Sequence, residues 1–335
     1  MQGGGFDHET EDEYRAWRDS ERRSRERRLA PPTRPRRRVR VWVLPAVLLA
    51  LGVALALTLT GASEVRDPRS RAASPAAAPA AEDVRAAPSP ARARRSLPSA
   101  AAVRRAWRYA RSRGGEVSIA VVDTAGRLRG RRAGRRYVSA SVVKAMLLVA
   151  EVRRLKRDGI ALDRSTERVL RAMITYSDND AADSIYLRVG DAGLFEVARA
   201  AGMKRFSVAG YWANAQITAA DMARCFSRLP RLLAGPHRRW AMGLFASVID
   251  EQRWGVPRAA GKDWAVFFKG GWRATGRGEL VHQVGLLRKG GQRVVIAVLT
   301  DAQPSQLYAI HTVYGVAKRL LDPHIENRAV AQTVH

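Results

Sequence analysis

Between Tyr137 and Ala150 the chain reads Tyr-Val-Ser-Ala-Ser-Val-Val-Lys-Ala-Met-Leu-Leu-Val-Ala, and Lys144 is the only charge in it. On a helix, Ser141 and Lys144 at i, i+3 share one face, so a hydroxyl at the helix start can meet an amine one turn on. Val142, Val143, Met146, Leu147 and Val149 surround that amine, and loss of hydration there lowers a lysine pKa. A lysine so placed can serve as general base to Ser141. The same residues also fit a plainer reading, in which Ser139 or Ser141 caps the helix and Lys144 runs out along its apolar face.

Upstream, the composition divides the chain into segments. Residues 1–40 are dense in Arg, Asp and Glu and end in Arg34-Pro-Arg-Arg-Arg-Val-Arg40, too polar to bury a core, and read as a disordered basic tail. Residues 41–62 hold about 20 uncharged, mostly apolar residues, the span of one hydrocarbon core. The preceding arginines put the N-terminus in the cytoplasm and all that follows outside. The long apolar core favours an uncleaved anchor over a signal peptide cut near Thr60-Gly-Ala62. Residues 63–97, rich in Ala and Pro, form a semi-extended spacer. A domain at 98–325 and a tail at 326–335 complete the chain.

The formal charge of +28 comes almost wholly from Arg, with 52 Arg against seven Lys. The arginines are spread rather than gathered into a stripe, which argues against nucleic-acid reading and for codon bias in a GC-rich bacterium. Such a surface is still attracted to anionic polymers, those of a cell wall included. Cys225, the only cysteine, excludes an internal disulfide and fits a small buried hydrophobe. His237, His282, His311 and His324 are scattered, with no ligand pair at i, i+4, so neither a metal nor another cofactor is expected. His282, in a strand, is read as structural.

Within 98–325, Pro98 to Arg113 reads as a helix and Glu116–Asp123 as a buried strand, with another strand in the Arg-rich stretch before Tyr137. Helical patterns recur near 166–174, 180–188, 192–201, 218–229 and 236–249. The period then changes. Asp263–Gly271, Leu280–Arg288 and Arg293–Thr300 read as a three-stranded meander, and Pro304 as the opening of a last amphipathic helix.

Two further stretches accompany the first. Tyr176-Ser177-Asp178-Asn179-Asp180 starts a helix about 36 residues after Ser141, and Phe268-Lys269-Gly270-Gly271-Trp272 closes a strand about 90 residues later. Alone, Ser177 and Asp180 make a capping pair and Lys-Gly-Gly a hairpin turn. Together, Ser-x-x-Lys, Ser-Asp-Asn and Lys-Gly-Gly in this order resemble the serine β-lactamase and penicillin-recognising superfamily, most similar to class A, whose third motif is Lys-Thr-Gly. That resemblance implies an α+β fold: an antiparallel sheet flanked by helices, with an inserted all-helical subdomain and the site between the two.

The resemblance also assigns roles. Ser141 is the nucleophile, Lys144 accepts its proton, and Ser177 relays a proton to the leaving nitrogen. Asn179 binds a substrate amide and fixes Lys144, Lys269 supplies positive potential for a substrate carboxylate, and the backbone amides of Ser141 and Trp272 form the oxyanion hole. Two such donors are worth about 3 kcal/mol each. Gly270 and Gly271 mark a strand that a backbone or a ligand approaches closely.

Two departures matter. No Asp or Glu lies between Val197 and Ala220, where class A enzymes carry a Glu-x-x-Leu-Asn loop whose glutamate activates the deacylating water. Gly270 in place of Thr removes a hydroxyl donor, a loss of about 1 kcal/mol. The expectation is a membrane-anchored extracytoplasmic serine hydrolase that is acylated by β-lactams or peptidoglycan stem peptides and releases the acyl group slowly. The alternative is an inactive wall-sensing domain with the same fold.

Overall fold

A computed structural model describes residues 97–233 and 235–322. The expected tail at 1–40, anchor at 41–62, spacer before Leu97 and tail at 326–335 lie outside the described residues. Among the described residues no helix is long and apolar enough to cross a membrane.

The elements are α1 (Ala100–Arg111), β1 (Glu116–Val122), β2 (Leu128–Arg131), β3 (Arg136–Val138), α2 (Lys144–Arg157), α3 (Arg164–Arg171) and α4 (Asn179–Ala200). They continue with β4 (Gln216–Thr218), α5 (Ala219–Leu232), α6 (Arg238–Ala246), α7 (Val256–Ala260), β5 (Ala265–Thr275), β6 (Gly278–Lys289), β7 (Gln292–Asp301) and α8 (Gln306–Leu321). Five strands form one antiparallel sheet in the order β2-β1-β7-β6-β5. Helices α1 and α8 pack together and against β1, β6 and β7, and α5 packs against the same three strands. With both faces covered, β7 is buried from Val294 through Thr300, which is why it reads as an unbroken apolar run.

The stretch between β3 and β5 is mostly helical, as the resemblance implied, but it contains β4, which pairs with β3 in a separate two-stranded sheet. The two helices expected at 180–188 and 192–201 are α4, broken where Gly190 takes φ 58. Helix α2 is clamped to α4 through buried Glu151, whose carboxylate meets Arg154 at 2.8 Å and Arg188 at 3.1 Å.

Four local expectations change. Lys269-Gly270-Gly271 is neither a turn nor a strand end: β5 runs on to Thr275 and pairs with β6 along its whole length. Ser305, not Pro304, opens α8, its side chain accepting from Tyr308 N at 3.1 Å. Asp178, not Ser177, caps α4, accepting from Ala181 N at 2.8 Å. Neither Ser139 nor Ser141 caps α2, because a 3-10 turn over Ala140–Val143 leads into it and has no side-chain cap.

Candidate active site

Ser141 lies in the 3-10 turn, and two tethers fix that turn. Ser139 N donates to Ala215 O at 2.7 Å and its hydroxyl to Trp212 O at 3.3 Å. One residue before Ser139, Val138 O receives an N–H from His282 Nε2 at 2.9 Å. The other ring nitrogen of His282, Nδ1, accepts from Thr300 N at 3.2 Å, so the bonds define the Nε2–H tautomer. His282 is fully buried, which pushes its pKa down to about 4. The structural reading of this histidine is correct, and it holds the strand end from which the nucleophile turn departs.

The third motif meets the turn from the other side. A side chain at Gly271 would bring its Cβ within 2.7 Å of Ser141 N and 2.8 Å of Val142 N. The backbone that approaches β5 closely is therefore the chain's own. At Gly270 a Cβ would meet only the Trp254 ring at 3.6 Å and Trp272 at 3.7 Å, ordinary contacts. Trp254 and Trp272 pack edge to face, 6.1 Å between ring centres, and the Trp254 indole N–H is buried with no hydrogen-bond partner among the described residues. β5 is an edge strand, so half its backbone groups are left free of the sheet.

Lys144 is fully buried, and its Nζ donates to Ser177 O at 2.5 Å and to Asn179 Oδ1 at 2.7 Å. The Trp212 ring centre lies 4.8 Å from the same nitrogen. Lys269, also fully buried, donates to Ser177 Oγ at 2.9 Å and to Gly270 O at 3.1 Å. Burial, and then the Lys144 charge, hold the Lys269 pKa well below the usual lysine range. Ser177 adopts left-handed backbone, φ 61, and so does Ala140, φ 44, just before Ser141. Non-glycine residues pay for this geometry with of order 1–3 kcal/mol each, and such strain gathers at functional sites.

Ser177, Asn179, Lys144 and Lys269 are thus joined by hydrogen bonds, and Ser141 sits against Gly271. The Ser141 hydroxyl has no hydrogen-bond partner among the described residues. Trp272 is the next residue of β5, opposite Val281. Sequence reasoning missed Trp212, whose indole N–H donates to Asp183 Oδ1 at 2.6 Å. It lies in the short acid-free segment, where a lone tryptophan in a polar loop was the available signal. Asn214 and Gln216, the polar groups of that segment, are turned to structural work: Asn214 Oδ1 accepts from Arg273 Nη1 at 3.1 Å, and Gln216 Nε2 donates to Asn214 O at 3.3 Å. Among the described residues no group of three His, Cys, Asp or Glu could hold a metal.

An antiparallel sheet flanked by helices, with a serine turn wedged between a lysine helix and an edge strand, defines a β-lactamase-like serine hydrolase fold. Comparison with known proteins agrees. Residues 164–323 match the family described as "Beta-lactamase enzyme family", a match that begins beyond Lys144. Among solved structures, the β-lactamase of Sphaerobacter thermophilus DSM 20745 superposes with a TM-score of 0.57 at 19% identity, over 65% of this chain and 95% of that one. An ancestral class A β-lactamase gives 0.55 at 21%, over 65% and 98%. The class A β-lactamase of Mycobacterium abscessus gives 0.55 at 19%, over 69% and 99%. A comparison with curated proteins found no match. The described residues thus share the fold of the serine β-lactamases, and residues 164–323 match the β-lactamase family model.

Proposed function

We propose that this protein is an extracytoplasmic serine acyl-transfer enzyme, held at the cell membrane by residues 41–62, that acts on β-lactams or on peptidoglycan stem peptides. The observation that carries the proposal is the bonding of Lys144. Its Nζ donates to Ser177 O at 2.5 Å and to Asn179 Oδ1 at 2.7 Å and lies 3.5 Å from Ser177 Oγ, so the buried lysine of the first motif is tied to the second motif one turn from Ser141.

In the acylation step Lys144 takes the Ser141 proton as Oγ attacks the amide carbonyl. The amides of Ser141 and Trp272 receive the oxyanion. The C–N bond breaks, the Ser177 hydroxyl protonates the leaving nitrogen, and Ser177 is reprotonated from the lysine pair that shares it. An ester on Ser141 remains. With no carboxylate between Val197 and Ala220 to take a proton from water, ester hydrolysis is the slow step.

The test is intact mass after exposure to a labelled penicillin: one adduct on the wild type and none on Ser141→Ala supports the reading. The unpartnered Ser141 hydroxyl favours a second reading, a wall sensor that binds without turnover. It requires that ligand raise thermal stability equally in wild type and Ser141→Ala, with no adduct in either.

A further inference from the structure

A second pocket, of about 490 Å³, lies at the far end of the sheet, between the β1–β2 turn and the β6–β7 turn, with Ser227 of α5 in its wall. It is separate from the site above. Along β6, Arg288 stands six residues from His282, the residue opposite Gly271, roughly 20 Å of strand.

The charges in its wall are not balanced. Arg288 of β6 stands directly opposite Arg293 of β7 in the ladder, and like charges in that position repel. Neither arginine forms an ion pair among the described residues; Arg288 lies over the Phe267 ring at 5.1 Å instead. Burial, then the charges of Arg293 and Arg238, lowers the Arg288 pKa, so a third cation bears on the same place. The acids nearby are engaged elsewhere. Asp123, buried in the wall, accepts from Ala125 N, Arg127 N, Arg127 Nε and Arg129 Nε at 2.9–3.2 Å, and Asp263 is bound to Lys289 at 2.8 Å. Between the two arginines the turn is Gly290-Gly291, both at positive φ, where an added Cβ would point into open space. No side chain closes the mouth there.

We propose that this pocket is a binding site for a phosphate-bearing anion, held between the guanidinium groups of Arg288 and Arg293. Two planar forks carried by directly opposed ladder positions suit a tetrahedral group with three free oxygens and nearly two negative charges better than a single carboxylate. The anion removes a cross-strand repulsion that the chain otherwise keeps. Thr124, also in the wall, exchanges hydrogen bonds with Leu97, N to O at 2.8 Å and Oγ1 from N at 3.0 Å, so the chain leading into α1 lies beside this site. The same phosphate chemistry is offered by a free ion and by a lipid headgroup.

The test uses the full chain in non-ionic detergent at constant ionic strength, with thermal unfolding read against inorganic pyrophosphate and sodium chloride. Pyrophosphate is expected to raise the melting temperature saturably where chloride does not. In the Arg288→Gln/Arg293→Gln double variant the pyrophosphate affinity is expected to fall at least about tenfold, while the unliganded melting temperature does not fall, because the repulsion is gone. Competition by short-chain phosphatidylglycerol below its micellar concentration identifies a lipid headgroup as the source, and its failure to compete identifies free phosphate. An equal pyrophosphate shift in the variant and the wild type, or none in the wild type, overturns the proposal. Penicillin acylation of Ser141 is expected to be the same in both proteins, which keeps this site distinct from the catalytic one.

Discussion

Lys269 Nζ donates to Ser177 Oγ at 2.9 Å, while Lys144 Nζ donates to the carbonyl of the same residue at 2.5 Å. One serine thus joins two buried amines contributed by a strand and a helix, and because both positions are dry, a full charge on both at once carries a penalty.

The first prediction concerns Lys269. Its folded pKa is depressed, so between that value and the ordinary 10.5 the unfolded chain binds the extra proton and the folded chain does not. Stability therefore rises with pH through that window and declines as pH falls through it. Lys269→Met is expected to remove this slope in urea unfolding followed across the alkaline range, and to gain of order 1–4 kcal/mol below the window. It is also expected to slow penicillin acylation about 10²–10³-fold. An unchanged slope would remove Lys269 from the account.

Gly271 and Gly270 form a matched pair. Gly271→Ala forces a Cβ into the Ser141 and Val142 amides, which have no free end to swing away. It is expected to cost about 1–3 kcal/mol and to lower acylation, since the nucleophile turn must shift. Gly270→Ala meets ring edges at ordinary contact distance and is expected to leave both quantities nearly unchanged. Denaturant midpoints and second-order acylation rates of the two variants decide it.

His282 predicts acid sensitivity. Its pKa falls from 6.5 to about 4 on folding, so the unfolded chain gains a proton between those values that the folded chain refuses. Stability is lost as pH drops from 6.5 toward 4, by about 3 kcal/mol, and this contribution is constant above 6.5. His282→Gln keeps an N–H for Val138 and an acceptor for Thr300 but does not titrate, so its stability curve should lack that loss. Chemical denaturation at stepped pH measures both.

Turnover is expected to fail at its second step. With a chromogenic cephalosporin the protein should release one equivalent in a burst and then proceed at a rate set by ester hydrolysis, because Asn214 and Gln216 cannot accept a proton from water and are bonded to Arg273 and to each other. Steady turnover from the first cycle would mean that another group activates the water.

Much of this was legible in the chain. Three short motifs carried the resemblance that implied an antiparallel sheet flanked by helices, while the change of period after residue 263 and the apolar runs in β6 and β7 located strands without giving their topology, because burial and spacing are written locally and strand order is not. Ser141, Lys144, Ser177, Asn179 and Lys269 were named by motif alone. Tertiary structure decided which polar group meets which. Only folding places Gly271 against the Ser141 amide, Trp212 beside Lys144 and His282 under Val138, since these partners come from distant segments and no local pattern encodes their distance. The charge of Lys269 belongs to that level too. A lysine in a β-strand is ordinarily a solvated cation, and here its pKa is lowered because folding buries it completely and sets the Lys144 amine near it.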